Sequence, residues 1–389
     1  MKIALTLFLA IFITSTRVIA QEYESYNKLL DTTISSKFLG FDKNISITVP
    51  YEWQKNMDRK FPLIVIFDRQ NPRSHNYIIN TIDYLTSNDQ MPSSIIISIE
   101  SEHIFRYNET SHSNYNSEAQ ASDNEKFIFD EIIPMAENDL NASDYRILIG
   151  HSRYGYFTTS LLFSQLDDVD AIISLSPFFT QKNVDFTDSI QNLADYQSKS
   201  TKYYRFGIGG DYPADYHKMD SSLQGFQNAS INSKGLLFKE AGHNATPGLI
   251  IAPALYEIFE EWAKSQNKYF SNDYDKIEEF NKFENEVIDH YGSKIDFSLG
   301  ILNGKGWFFY NEERYNKAIE AWEIQLKSYP NFSETHLYIL DAKMMMNKDL
   351  PKEEIDESIH FFKNELEKSE FYSNEEKIKL LKEVETEFK

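Results

Sequence analysis

Seven short apolar runs, most of them rich in β-branched residues, are spaced along residues 43–264 with helix-length stretches between them, and few architectures accept that spacing. The runs are Ile45–Val49, Leu63–Phe67, Ile95–Ile99, Arg146–Ile149, Ala171–Leu175, Tyr203–Ile208 and Leu236–Lys239. Ile45, Ile47 and Val49 alternate with polar residues, as in a strand with one wet face. Leu63–Phe67 and Ile95–Ile99 are almost continuously apolar, as in strands buried on both faces. The stretches 127–136 and 250–262 have helical length, and Phe127, Phe129, Ile132 and Ile133 supply the first with its apolar side. Such strands, alternating with helices, pair in parallel and need helices on both faces to cover them. The expected fold is therefore an α/β one, a mostly parallel sheet with flanking helices.

The pattern changes after Lys264, where strand-like runs become scarce and helix formers dominate. Ile355, Ile359, Phe362 and Leu366 share one helical face, as do Ile378, Leu381 and Phe388. Ser373 followed by Glu376 reads as a capping box. Gly306, Ala318, Trp322 and Pro330 have the spacing of a tetratricopeptide repeat, with small residues where two helices cross and Pro where the second ends. One such hairpin cannot bury its own face. It is expected to pack on neighbouring helices or on the α/β part.

Lys2 followed by the apolar run Ile3–Thr14 and by Val18-Ile19-Ala20 has the form of a secretory signal peptide cleaved before Gln21. The run is too short for a spanning helix, which takes roughly 20 apolar residues, so the mature chain is expected to be secreted or periplasmic. The formal charge of the whole chain is −21. Losing Lys2 and Arg17 with residues 1–20 leaves 37 basic against 60 acidic residues, a charge of −23. A nucleic-acid partner is excluded, because such binding rests on cations facing phosphates. With no cysteine in the chain, disulfides and thiolate chemistry are excluded too. No metal-binding helix of the HExxH kind, no P-loop and no GxGxxG is present, and no cofactor or metal is expected.

Chemistry concentrates in Gly150-His151-Ser152-Arg153-Tyr154-Gly155. This segment follows the Arg146–Ile149 strand directly and precedes a helix-like stretch bearing Phe157, Leu161 and Leu162. A serine on a strand-to-helix turn is a nucleophile elbow: the turn exposes the hydroxyl and offers the next backbone N–H, that of Arg153, to an oxyanion. The usual Gly two residues after the serine is Tyr154 here, so a large side chain must point away from the facing strand or the elbow must be distorted. Downstream, the Tyr203–Ile208 strand ends in Gly209-Gly210-Asp211, and Leu236–Lys239 leads to Gly242-His243. That is the order Ser, acid, His that this turn requires. His243 is expected as the base and Asp211 as the acid that holds it, with Asp215 and Asp220 close enough to compete for that place. His151 is expected to pack and hydrogen-bond rather than act as a second base.

Residues 38–262 resemble the serine esterase family of the α/β-hydrolase superfamily that includes siderophore esterases and esterase D-like enzymes. The resemblance rests on ISITVP, FPLIVIFD, FIFDEIIP, YRILIGHSRYG and ISLSPFF. Residues 291–330 resemble the tetratricopeptide-like extension of some exported bacterial members. The resemblance implies Ser152 as nucleophile and His243 as base. It also implies that the loop after Phe67 supplies a second oxyanion N–H, placed at Arg69, where the family often has Gly. Arg106 stands where the family often has an arginine lining the cleft, with a solvated loop arginine as the alternative. The expected division is 1–20 signal peptide, 21–264 α/β-hydrolase catalytic domain and 265–389 helical tetratricopeptide-like region. The expected activity is hydrolysis of a small-molecule carboxylic ester through an acyl-enzyme, with acyl transfer as a close variant. Its rival is a hydrolase fold impaired in catalysis that presents the helical tail to a protein partner.

Overall fold

A computed structural model describes residues 25–54, 57–113, 116–271, 274–369 and 372–387; the expected signal peptide lies outside them. Eight strands form one sheet: β1 (Tyr26–Ser35), β2 (Asp42–Pro50), β3 (Phe61–Ile66), β4 (Ile95–Ile99), β5 (Ala142–His151), β6 (Ala171–Leu175), β7 (Lys202–Gly209) and β8 (Ile231–Phe238). Their order is β1-β2-β4-β3-β5-β6-β7-β8. β2 pairs antiparallel with β1 and β4, and every other neighbouring pair is parallel. This is the sheet of an α/β-hydrolase. Every residue of β3, β4, β6 and β7 is buried, which is why β3, β4 and β6 run nearly apolar without alternation, while the buried Lys202 and Arg205 of β7 are paired with Asp170 and Glu257. β1 carries no such signal because it is an edge strand with most of its residues exposed. For the same reason β8 begins at Ile231, earlier than its apolar run: Asn232, Ser233 and Lys234 lie on the other edge of the sheet.

The connections hold α1 (Pro72–Ser87), α2 (His103–Glu109), a helical stretch α3 over 121–139, α4 (Arg153–Ser164), α5 (Pro213–Gln224) and α6 (Thr246–Ile258). Ile78, Ile82, Ile250 and Leu255 from α1 and α6 cover one face of the sheet, over Ile64, Ile66, Ile147 and Ile149. Ile128, Phe157 and Leu161 from α3 and α4 cover the other, over Leu63, Val65 and Leu148. The alternation along β3 and β5 thus sends successive side chains into two separate cores. The expected helix at 127–136 contains a π-helical turn, Phe127–Ile132. Pro134 follows within the next turn, where a regular helix would drive its ring into the carbonyl four residues back.

Beyond α6 the chain is helical: α7 (Glu260–Phe270), α8 (Phe280–Tyr291), α9 (Leu299–Asn311), α10 (Tyr315–Ser328), α11 (Glu334–Met346), α12 (Lys352–Lys368) and α13 (Asn374–Glu387). The helix expected over 250–262 is broken at Phe259, between α6 and α7. α9 and α10 form a hairpin in which Gly306 lies directly against the indole of Trp322, and Ala318 is fully buried. At the start of α13, Ser373 N–H donates to Glu376 Oε2 at 2.7 Å and Glu376 N–H donates to Ser373 Oγ at 3.3 Å, a reciprocal capping box. Among the described residues no helix is long and apolar enough to cross a membrane.

The helical region is docked on the α/β part. Tyr291, Phe297, Trp322 and Tyr329 share one buried cluster with Ile64, Tyr145, Ile258 and Trp262. Tyr291 Oη accepts the Trp262 N–H at 3.1 Å and donates to the Ile258 carbonyl at 3.0 Å. Arg59 pins the junction. Its side chain is 8% exposed, and it lies within 3.4 Å of both Glu52 and Asp296. The guanidinium stacks 4.1 Å over the Tyr329 ring and donates to Tyr329 Oη at 3.0 Å. Arg59→Ala leaves the largely buried Glu52 without its cation, while Asp296 keeps Lys294 at 3.1 Å, at a cost of about 3 kcal/mol. The expected result is a melting temperature several degrees lower with turnover per folded molecule unchanged; an unaltered melting curve would mean that the tail is held by other contacts.

Candidate active site

β5 ends at His151 and α4 begins at Arg153, so Ser152 is the single residue between strand and helix. Its backbone sits at φ 58° and ψ −116°, a region that costs a non-glycine residue about 1–3 kcal/mol. Bonds on both sides hold it there. Ser152 N–H donates to the Leu175 carbonyl at 2.8 Å, and Tyr156 N–H donates to the Ser152 carbonyl at 2.9 Å. Gly150 allows the helix to fold back over the strand end, since a Cβ there would lie 2.2 Å from the Tyr154 carbonyl oxygen. The close approach to the next strand falls on Gly155, where a Cβ would meet the Leu175 carbonyl at 3.1 Å. Tyr154 therefore need not be small. It turns the other way, fully buried, with its ring stacked on Phe67 at 4.5 Å between centroids and 9° between planes.

The loops after β7 and β8 meet through the Gly210 N–H, which donates to the Ala241 carbonyl at 2.8 Å. This brings Asp211 to His243: Oδ2 of the one lies 2.5 Å from Nδ1 of the other. Among the described residues, Nε2 of His243 is left for another partner. Asp215 is spent elsewhere, with its Oδ1 accepting the Phe179 N–H at 2.9 Å, and Asp220 bonds Gln224. The His243 carbonyl is held by Thr246 Oγ1 at 3.0 Å, His151 Nε2 at 3.2 Å and Ser176 Oγ at 3.3 Å. Burial, reinforced by His243 beside it, pushes His151 below the usual imidazole range. Its ring is thus neutral near pH 7, with the proton on the nitrogen that donates to the carbonyl.

Ser152, His151 and His243 share an open cleft of about 330 Å³ with Asp68, Asn71, Arg106 and Asn244. Larger clefts, about 730 Å³ beside β8 and about 460 Å³ at the tail junction, are lined by no histidine. Arg106 belongs to the cleft and not to a solvated loop. Its Nε and Nη2 each lie 2.6 Å from the Asp68 carboxylate, and Nη2 also donates to the His151 carbonyl at 3.1 Å. Arg153 opens α4, and its guanidinium reaches Thr110 Oγ1 at 3.0 Å and Ser111 Oγ at 2.9 Å.

Arg69 departs from expectation. Its N–H donates to the Ile99 carbonyl at 3.1 Å, and its guanidinium bonds Asp31 at 2.7 Å. Asp68 adopts a left-handed conformation, φ 63°, which turns the following peptide toward β4 and away from the cleft. The structure therefore does not bring the Arg69 N–H to Ser152. Sequence reasoning also missed Ser176 and Thr246, whose hydroxyls fix the histidine loop. Neither belongs to a motif, and their contacts depend on loops from distant parts of the chain.

Residues 36–210 match the family model described as "Putative esterase". An IroE-like serine hydrolase of Shewanella oneidensis superposes with a TM-score of 0.60 at 15% identity, covering 77% of this chain and 99% of its own. An uncharacterised protein of Capnocytophaga ochracea superposes with a TM-score of 0.59 at 12% identity, covering 92% of this chain and 99% of its own. At such identities the likeness is one of fold, and in the second case it extends well into the helical region. No curated protein matches the chain. Residues 36–210 are thus similar to the esterase family, and they lie on a sheet of the α/β-hydrolase type.

Proposed function

We propose that the chain hydrolyses carboxylic esters of small molecules through an acyl-enzyme on Ser152. The observation that carries this reading is a serine held on a strained strand-to-helix turn in the same cleft as a histidine bonded to a carboxylate. His243 Nε2 takes the Ser152 proton as Oγ attacks the acyl carbon. The same proton then passes to the leaving alcohol as the tetrahedral intermediate collapses. Water repeats the sequence on the acyl-enzyme, returning Ser152 and releasing the acid. Asp211 holds the imidazole in the required tautomer and stabilises its charged form. The Arg153 N–H, at the N-terminus of α4, stabilises the oxyanion together with the field of that helix.

Siderophore, carbohydrate acetyl or feruloyl, and small lipid esters all fall within this reading, and acyl transfer to a sugar differs only in the second nucleophile. Export of the mature chain is part of the proposal, on the strength of the N-terminal apolar run, as is a division near residue 264 into catalytic and helical parts. The scaffold alternative gains no support, because the tail uses Tyr291 and Tyr329 against the α/β part. A fluorophosphonate probe applied to the purified mature chain is expected to add its mass to the peptide containing Ser152. No adduct on demonstrably folded protein, or an adduct on another serine, removes the reading.

A further inference from the structure

Three residues around Ser152 are gripped by one short segment, α2 and the two residues after it. His151, just before the serine, has its carbonyl bonded by Arg106 Nη2 at 3.1 Å. Arg153, just after it, donates to Thr110 Oγ1 at 3.0 Å and Ser111 Oγ at 2.9 Å. Tyr154 donates its phenol proton to Glu109 Oε2 at 2.5 Å. The segment is itself tied down by charge from two other strands. Glu109 is fully buried, and Lys43 on β2, 2% exposed, bonds both of its oxygens at 2.9 Å. Ser101 Oγ adds a bond to the same carboxylate at 2.5 Å. Arg106 is clamped on Asp68, at the end of β3.

Burying an ion pair of this kind stabilises little compared with an apolar filling of the same volume. Its use lies in fixed geometry, and the geometry it fixes is that of the serine turn. We propose that the Lys43–Glu109–Tyr154 chain is a brace that positions Ser152 and the first turn of α4 for attack, with Tyr154 the positioning residue that transmits it. The proposal rests on the esterase reading for its catalytic consequence. It also accounts for a tyrosine where a small residue is usual: the phenol reaches a buried carboxylate that a glycine could not. Removing the hydroxyl alone, in Tyr154→Phe, keeps the stack on Phe67 and leaves Glu109 its bonds to Lys43 and Ser101. What is lost is the tie between the carboxylate and the turn. Misplacement of a reacting group by a fraction of an ångström to one ångström costs on the order of 10- to 100-fold in rate.

The experiment compares the wild-type mature chain with Tyr154→Phe, Glu109→Gln and, as a control, Tyr204→Phe. The control removes a buried phenol bonded to Thr159 at 3.0 Å, away from the turn. Turnover is normalised to serines titrated by the fluorophosphonate, so that loss of folded protein does not count. Tyr154→Phe is expected to lower kcat and the rate of fluorophosphonate inactivation about 10-fold or more with KM within about twofold, while Tyr204→Phe leaves all three unchanged. Hydrogen exchange of the peptide spanning 151–157 is expected to quicken in Tyr154→Phe and not in the control. A kcat within twofold of wild type, with unchanged exchange, overturns the brace, as does a loss seen only as a lower titratable fraction. Should Glu109→Gln fail to fold, Tyr154→Phe decides alone. If the wild type itself shows neither labelling nor turnover, the esterase reading fails, and the exchange measurement still decides whether the brace holds the turn.

Discussion

Ser152→Ala is expected to lower ester turnover by roughly 10⁴- to 10⁶-fold, the loss seen when the nucleophile of a triad is removed, and to abolish fluorophosphonate labelling. The melting temperature is expected to stay within about a degree of wild type. Alanine keeps the Cβ, so the strain at φ 58° and ψ −116° remains, and the backbone bonds to Leu175 and Tyr156 are untouched. Ser152→Gly separates the two contributions further. It is equally inactive in this reading, but glycine adopts positive φ without penalty, so it is expected to be more stable than either by about 1 kcal/mol. That pairing, a more stable protein without its activity, is the signature of strain retained for chemistry. A Ser152→Ala chain that hydrolyses esters within tenfold of wild type would place the nucleophile elsewhere.

The strands that carry the site were legible because burial on both faces leaves β3, β4 and β6 almost wholly apolar. The turn at Ser152 was legible for a local reason: strand, serine and helix are contiguous, and Gly150 answers to a contact with Tyr154 four residues on. Exposed edges were not legible. β1 and the first half of β8 must bond a single neighbour and otherwise face water, so their sequences show neither alternation nor an apolar run. Nor were contacts between distant loops. Asp68 meets Arg106 across 38 residues and Tyr154 meets Glu109 across 45, and no spacing rule relates them. Arg69 shows the same limit from the other side. The family resemblance implied an N–H aimed at the serine, but one left-handed residue, Asp68, precedes an N–H that bonds Ile99.

Asp211 against Asp215 was the choice that order alone left open, and it leads to the second large effect. Asp211→Asn is expected to lower kcat by roughly 10²- to 10⁴-fold with the fold intact and KM little changed, since Asp211 acts through His243 and not on the ester. The loss has a specific origin. The carboxylate oxygen at 2.5 Å from Nδ1 can only accept, so it keeps the imidazole proton on Nδ1 and the lone pair on Nε2, where the serine proton must go. An asparagine can present its NH₂ instead, and the imidazole then accepts at Nδ1 and carries its proton on Nε2, the wrong tautomer for a base. Asp215→Asn is expected to leave turnover within about threefold of wild type, because an amide oxygen still accepts the Phe179 N–H that Asp215 now receives at 2.9 Å. A large loss in Asp215→Asn together with a small one in Asp211→Asn would reverse the assignment. Equal and small losses in both would mean that His243 works with Ser152 as a pair, its orientation set by the three donors on its backbone carbonyl and not by a carboxylate.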